Sequence, residues 1–188
     1  MHVLSTGKFL LLFSLIGLFV FATPPTKIRQ DNQDFVYYSI DTTKSKLHWD
    51  CSLHKGNLNF LNGYLTFNGK ELVDAELVVD MNSITNTDID NKLLQGTLEN
   101  VLKSIEFFRT EDYPEARFKL HSAIKTGNND YSLSGDFIIF ERDICTDFEC
   151  NISISNDSLY ISTGPIILDR SNWGIFYLSR NNLYPKEG

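Results

Sequence analysis

The sequence predicts an all-β protein, an antiparallel β-barrel with one amphipathic helix at its mouth. From Phe35 onward, apolar and polar residues alternate in several short segments, which indicates strands that bury one face. Short turn-forming sequences separate these segments, which favours an antiparallel meander over parallel strands joined by helices. The other face of each segment is polar enough to meet water, so we expect closure into a barrel rather than a two-sheet sandwich.

The alternating segments follow one another along the chain, and each has apolar residues that share one face. These sets are Leu47, Trp49 and Cys51; Leu65 and Phe67; Leu77, Val79 and Met81; Phe118 and Leu120; Leu133, Gly135, Phe137 and Ile139; and Leu159 and Ile161. The dipeptides Asn62-Gly63 and Asn68-Gly69, together with residues 127–129, have the composition of tight turns. We therefore expect a turn at each of these three places.

One segment has a helical period instead. Between residues 87 and 104, apolar residues recur at three- and four-residue spacing, namely Leu94, Leu98, Val101 and Leu102. Thr87 or Asp88 is the expected N-cap of this helix. Its apolar stripe has to lie on another apolar surface, and the mouth of the barrel offers one.

The first 22 residues have the pattern of a signal peptide. Lys8 precedes a mostly apolar run over residues 9–21, which is too short to cross a bilayer comfortably and suits an export signal. An uncleaved N-terminal anchor is the alternative. We predict a signal peptide at 1–22, a linker at 23–34, and one domain at 35–188. The mature protein is then periplasmic or secreted, with no stable membrane span.

The charge and the cysteines limit the partners. The formal net charge is −7, and the sequence has no basic cluster, which argues against a nucleic-acid partner. Export permits disulfides, and Cys145 could pair with Cys150 across a hairpin. The other interpretation is that these two and Cys51 are all small apolar residues with free thiols. The sequence favours neither.

No motif indicates an enzyme, a cofactor or a metal site. His48, Cys51 and His54 have a metal-like spacing, but in an unbroken strand Cys51 would point away from the two histidines. The sequence has no Gly-x-Ser-x-Gly elbow to mark a nucleophile. Asp88 and Asp90 are explained by stabilisation of the positive end of the predicted helix. We therefore predict a non-catalytic protein without a metal.

Several short motifs in order resemble one family. They are Trp49, residues 54–56, 63–67, 79–89, 102–104, 106–108, 113–118, 133–137 and 168–175. Each is weak alone, but their order and spacing resemble the YceI-like family from about Tyr38 to Tyr177. The resemblance implies a lipocalin-like antiparallel barrel of about eight strands around an elongated apolar pocket. The implied ligand is a long-chain isoprenoid of the quinone or polyprenyl phosphate type.

From the resemblance we expect the inward apolar residues to bind the ligand. Without the resemblance, the same residues would be interpreted as a packed hydrophobic core. They are Leu47, Trp49, Leu65, Phe67, Leu77, Val79, Leu98, Phe107, Phe108, Phe118, Leu120, Phe137, Ile139 and Trp173. Arg170, if it faces the pocket mouth, could hold a phosphate headgroup, although an ion pair with Asp169 or a turn-anchoring role explains it more simply.

Two departures from the family pattern are visible. Val101 stands where family members commonly have a histidine, so any polar role of that histidine is absent. The pattern also continues in the family into a closing strand beyond the Trp173 region, where this chain has only residues 181–188. An open barrel edge could then pair with a second copy or a partner, and the protein would act as an interaction or structural barrel.

Overall fold

The computed structural model describes residues 12–21, 25–30, 33–155 and 158–177. In chain order its strands are β1 (Leu12–Phe21), β2 (Thr26–Gln30), β3 (Gln33–Ser39), β4 (Lys46–Asp50), β5 (Lys55–Asn68), β6 (Glu71–Asn86), β7 (Glu115–Lys125), β8 (Asp130–Ile139), β9 (Arg142–Ser155), β10 (Ser158–Thr163) and β11 (Ile166–Asp169). One α-helix, α1 (Lys92–Lys103), lies between β6 and β7, and a 3₁₀ helix (Arg170–Trp173) follows β11.

The strands form an antiparallel barrel, which confirms the predicted fold class. Pairing runs from β4 through β5, β6, β7, β8 and β9 to β10, and every pair is antiparallel. The strand β1 then pairs with β10 on one side and with β4 on the other, so eight strands make up the wall. The strand β3 extends the sheet along β5, and β11 pairs with the first half of β1.

The strand that completes this wall lies within the segment predicted to be a signal peptide. Phe19 and Val20 of β1 are buried, and the Val20 amide donates to the Ser45 hydroxyl at 2.9 Å. The Gly17 amide donates to the Thr163 hydroxyl at 3.0 Å, from the opposite wall of the seam. In the full chain, therefore, residues 12–21 occupy the seam between β4 and β10. Their removal on export stays a prediction.

The segment predicted as a linker is also partly ordered into a strand. Thr26–Gln30 forms β2, which pairs with β3 from Thr26 opposite Tyr37 to Gln30 opposite Gln33. Hydrogen bonding to a neighbouring strand gives this polar stretch a regular conformation that its own composition does not indicate. The hairpin continues the sheet along β5 beyond β4, and Tyr38 of β3 is buried in the core.

One of the three predicted turns is wrong. Asn68 and Gly69 form the turn between β5 and β6, with Gly69 at a φ of 61°, and residues 126–129 join β7 to β8. Asn62 and Gly63, by contrast, lie inside β5, at a register shift against β6. A Cβ atom at position 63 would approach Leu77 Cδ2 to 2.7 Å, so glycine is needed here for close strand packing rather than for a turn.

One end of the barrel is covered by several chain segments. The strands β6 and β8 run in the same direction, so α1, which follows β6, and the turn at 140–141, which follows β8, lie at the same end of the barrel. The 3₁₀ helix also lies at this end, which we call the α1 end. The helix begins later than predicted: Asn91 is its N-cap, and its side chain accepts from the amides of Leu93 and Leu94. None of the helices in the described ranges is long and apolar enough to cross a membrane.

Asn86 attaches α1 to the barrel. Its side chain is buried and donates to the Lys55 carbonyl at 3.1 Å and to the Asp88 carboxylate. Its side-chain oxygen accepts from the Ile89 backbone amide at 3.0 Å, and the backbone amide of Asn86 donates to the Glu99 carboxylate at 2.9 Å. Asp88 is therefore a partner of this network and not the helix cap that the sequence suggested.

We expect Asn86→Ala to lower the free energy of unfolding by about 2–3 kcal/mol, because it removes three side-chain hydrogen bonds at a buried position. Asn82, which is exposed on the same strand, provides the matched control, and Asn82→Ala should change stability by less than about 0.5 kcal/mol. Urea unfolding followed by circular dichroism measures both. Equal stability of the two variants would contradict the role assigned to Asn86.

The cysteines do not form the disulfide that was considered. Cys145 and Cys150 lie on the same strand, β9, and the first is exposed while the second is buried. Five strand residues separate their Cα atoms by about 16 Å, well beyond the roughly 7 Å that a disulfide spans. Cys51 is also a free thiol. Burial, followed by the nearby charges of Glu149 and Asp130, raises the pKa of Cys150 to about 12.

Candidate ligand-binding site

The barrel encloses an apolar cavity of about 130 Å³. Its walls are formed by inward residues of the strands and are closed at the α1 end by Phe108, Trp173 and Ile175. Thr163, Arg117 and Arg170 are the polar residues among those that line it. This volume is close to that of a cavity that accepts a benzene molecule, about 150 Å³.

Most of the residues predicted to bind a ligand line this cavity: Leu47, Trp49, Leu65, Leu77, Val79, Phe108, Phe118, Phe137, Ile139 and Trp173. Four do not. Phe67 and Leu120 are buried in the core without lining the cavity, and Leu98 of α1 packs against the core. Phe107 has its ring face against the Arg170 guanidinium. For Phe67 and Leu120, alternation placed the side chain inside correctly, but depth along the barrel decides whether it reaches the cavity.

Sequence reasoning missed another group of lining residues. Gly17 and Phe19 come from β1, which had been assigned to the signal peptide. Leu72 and Ala75 come from β6, where a register shift against Thr66 and Phe67 interrupts the alternation. Such bulges break the period of two, so strict alternation could not find these residues. Alternation had identified the inner face at Met81, Leu133 and Ile161, without assigning these residues to the ligand site. The remaining ones are Leu58, Phe60, Ile84, Ala116, Arg117, Phe148, Thr163, Ile166, Leu168 and Ile175.

Trp49 forms one wall of the cavity and is held by two features. Its indole Nε1 donates to the Thr85 carbonyl at 3.1 Å, and Gly56 lies opposite it on β5. A Cβ atom at Gly56 would approach the indole ring to 2.7 Å and the Thr85 oxygen to 1.8 Å. The absence of a side chain at position 56 therefore lets the indole lie flat across β5 and present its apolar face inward.

Three phenylalanines form the opposite wall. Phe118, Phe137 and Phe148 lie on the neighbouring strands β7, β8 and β9. Their ring centroids are 5.1, 5.4 and 5.9 Å apart, with tilted or edge-on ring planes. These are favourable aromatic geometries. The three rings thus form a continuous apolar surface without a hydrogen-bonding group.

The 3₁₀ helix is anchored across the turn between β8 and β9. Trp173 Nε1 donates to the Arg142 carbonyl at 2.9 Å and to the Phe137 carbonyl at 3.2 Å. Arg142 in turn donates to the Asn172 carbonyl at 3.1 Å. These bonds fix the Trp173 ring as part of the cavity wall at the α1 end.

Arg170 is a buried cation at the edge of the cavity. Its guanidinium donates to the Ile175 carbonyl at 3.2 Å and lies 5.2 Å above the Phe107 ring. The expected ion pair with Asp169 is not formed: Asp169 accepts from the amide and hydroxyl of Ser171. Burial lowers the pKa of Arg170, because desolvation disfavours the charged form. Within the described residues, no carboxylate forms an ion pair with this group.

The histidines that suggested a metal motif point to different partners. His48 Nδ1 lies 2.6 Å from the Asn57 side-chain oxygen, and His54 Nδ1 lies 3.2 Å from Asp88 Oδ2. The one group of three such ligand atoms that the described residues bring together does not include Cys51. The described residues therefore do not bring His48, Cys51 and His54 together as ligands of one ion.

An antiparallel barrel with an enclosed apolar cavity defines the class of lipocalin-like barrels. The chain belongs to the YceI-like family, because the profile of the YceI-like domain matches residues 38–186. The chain matches none of the curated proteins with which it was compared.

Solved structures support the same fold. The YceI protein of Campylobacter jejuni is 16% identical, with a TM-score of 0.51, over 68% of this chain and 76% of that one. A cysteine mutant of that protein gives a TM-score of 0.52 at the same identity and coverage. BcnA of Burkholderia cenocepacia is 10% identical over 83% of this chain and 96% of its own, with a TM-score of 0.47. At these identities the first two show the fold alone.

Proposed function

We propose that this protein is an exported, non-catalytic carrier that holds an isoprenoid lipid in its barrel. The observation that carries the proposal is the apolar cavity, whose lining comes from every strand of the wall. A buried methylene contributes about 0.8 kcal/mol, so an apolar chain can bind tightly without specific polar contacts. Membership of a family of lipid-binding barrels supports the same assignment.

The size of the cavity limits how the ligand is held. At about 130 Å³, the cavity accommodates a short part of a polyprenyl chain. A longer chain has to displace lining side chains or extend out of the barrel. We expect affinity to rise steeply over the first isoprene units and then to level off. A carrier whose cavity binds only one part of the polyprenyl chain would accept isoprenoids of several lengths.

Arg170 supports a ligand with an acceptor group at one end. Within the part of the chain that the structure describes, the Ile175 carbonyl is the one hydrogen-bond acceptor of the Arg170 guanidinium, so phosphate or quinone oxygens can accept from its other donors. We therefore propose that the polar end lies at the α1 end and that polyprenyl phosphates bind more tightly than polyprenols of equal length.

A substitution that fills the cavity tests the proposal. Ala75 is buried, lines the cavity and pairs with Leu65 across the β5–β6 ladder. We expect Ala75→Leu to weaken isoprenoid binding at least tenfold and to change stability by less than about 2 kcal/mol, because the added methylenes enter empty space. Val73→Leu, at an exposed position of the same strand, is the control. Fluorescence competition with a polyprenyl probe measures both, and unchanged affinity in Ala75→Leu would contradict the assignment.

The ligand can be identified directly. Mass spectrometry of gently purified protein, under native and then denaturing conditions, should reveal an adduct that leaves on denaturation and fragments as a polyprenyl compound. A bare protein mass would count against the carrier function.

The position of β1 favours a second candidate function. If residues 1–22 are removed on export, the edges of β4 and β10 lose their neighbour, and such edges recruit extended segments. The processed barrel would then pair through this seam with a second copy or with another partner. Dimers without extractable lipid would favour this function over the carrier.

A further inference from the structure

Three potential metal ligands meet on the outer face of the barrel. His121 lies on β7, Asp136 on β8 and Cys145 on β9, which are neighbouring strands. One donor atom from each residue lies within 4.8 Å of the donor atoms of the other two. None of these residues lines the cavity, so the cluster is distinct from the proposed lipid site.

The backbone register explains why the three side chains converge. Asp136 is directly opposite Cys145 in the β8–β9 ladder. In the β7–β8 ladder, the register shifts between Leu120 and Ser122, which leaves His121 as an extra residue on β7. A bulge of this kind redirects a side chain. The imidazole Nε2 lies 2.9 Å from Asp136 Oδ2, and Nδ1 lies 3.9 Å from Cys145 Sγ.

We propose that His121, Asp136 and Cys145 bind one divalent transition-metal ion of the zinc class, with water completing its coordination. Imidazole nitrogen, thiolate sulfur and carboxylate oxygen all bind zinc, at about 2.0–2.3 Å, which puts the ligand atoms of one ion roughly 3–4 Å apart. One ligand atom from each residue lies within 4.8 Å of the other two, slightly beyond that range, so side-chain rotations bring the three atoms onto one ion. Calcium and magnesium prefer oxygen ligands and do not suit a site with sulfur and imidazole.

The surrounding charges favour a cation. Asp143 and Asp147 lie two residues on either side of Cys145, and both are exposed, so the strand period puts them on the same outer face. Lys119 is opposite Asp136, and Arg117 lies in the same row of the ladders as Asp143 but forms ion pairs with Glu76 and Glu115. The face near Cys145 thus carries the carboxylates of Asp136, Asp143 and Asp147 against the Lys119 ammonium group, and its field attracts a divalent ion.

The site is accessible without unfolding. The Cys145 residue is exposed, and 49% of the His121 side chain is exposed. A bound ion would join β7, β8 and β9 through side chains and so stabilise the folded barrel by mass action. This consequence is independent of whether the cavity holds a lipid.

Cobalt and zinc titrations of the tag-free protein test the proposal. We expect one Co²⁺ per chain, with a near-ultraviolet thiolate-to-cobalt charge-transfer band that Zn²⁺ abolishes by displacement. Cys145→Ser should remove the band, and His121→Ala and Asp136→Asn should each weaken Zn²⁺ binding at least tenfold. Cys51→Ser is the matched control that keeps the three ligands, and it should leave the Zn²⁺ affinity unchanged. Circular dichroism verifies that each variant is folded.

Thiol alkylation gives an independent readout. Zn²⁺ should slow the alkylation of Cys145 at least tenfold, and the buried Cys150 should stay unreactive with or without metal. A missing charge-transfer band, equal zinc affinity of Cys145→Ser and the unsubstituted protein, or alkylation of Cys145 that zinc does not slow would each overturn the proposal.

Discussion

Phe118→Asp is expected to abolish isoprenoid binding and to lower the free energy of unfolding by at least about 4 kcal/mol. Phe118 is buried, lines the cavity and contacts both Phe137 and Phe148. The substitution removes one ring of the aromatic wall and places a carboxylate in a cavity that is lined mostly by apolar side chains. Binding assays with a polyprenyl probe and urea unfolding measure the two effects.

Since that loss approaches the whole stability of many domains, Phe137→Asp provides a second test at a less buried ring of the same wall. Phe176→Asp is the control, because Phe176 is 45% exposed and does not line the cavity. We expect the control to bind normally. A folded Phe118→Asp or Phe137→Asp protein that still binds the probe would exclude the cavity as the lipid site.

Removal of residues 1–22 is expected to produce the other large effect. The strand β1 pairs with β4, β10 and β11, and it satisfies the buried hydroxyls of Ser45 and Thr163. Without it, two strand edges and part of the apolar interior become exposed. We expect the chain that begins at residue 23 to form concentration-dependent dimers, whereas the full chain stays monomeric. Analytical ultracentrifugation over a range of concentrations distinguishes the two.

Peptide addition provides the matching control. A synthetic peptide with the β1 sequence, flanked by lysines for solubility, should bind the shortened chain and return it to a monomer. A peptide of the same composition in scrambled order should not, because its apolar residues no longer match the inward positions of Gly17 and Phe19. A shortened chain that is monomeric and as stable as the full chain would show that β1 is dispensable.

The sequence predicted the wall of the barrel well wherever the period of two is unbroken. Leu47 with Trp49, and Leu77 with Val79, share the inner face as alternation requires. The prediction failed where backbone geometry departs from a regular ladder, as at Asn62 in β5 and at the register shift beside Leu72 in β6. Bulges depend on the partner strand, so a single strand's sequence does not reveal them.

The other differences between the predicted and the observed structure arose in segments whose sequence is compatible with two structures. An apolar run of the kind found in residues 9–21 satisfies both an export signal and a buried strand, and only the neighbouring edges of β4 and β10 favour the second in the full chain. Arg170 was ambiguous for a similar reason. Adjacent charges at 169 and 170 suggested a pair, but the 3₁₀ turn directs Asp169 to Ser171 and leaves the guanidinium beside the cavity.

If residues 1–22 are removed on export, the position of β1 couples this cleavage to ligand binding in the cavity. The chain that keeps β1 has its own closing strand, whereas the cleaved chain would have to obtain a replacement or remain open. A ligand that binds the closed barrel more tightly than the open one must, by thermodynamic reciprocity, also hold the closing strand more tightly. Cargo would therefore oppose release of the leader strand, and a signal peptidase would encounter the empty precursor as the better substrate.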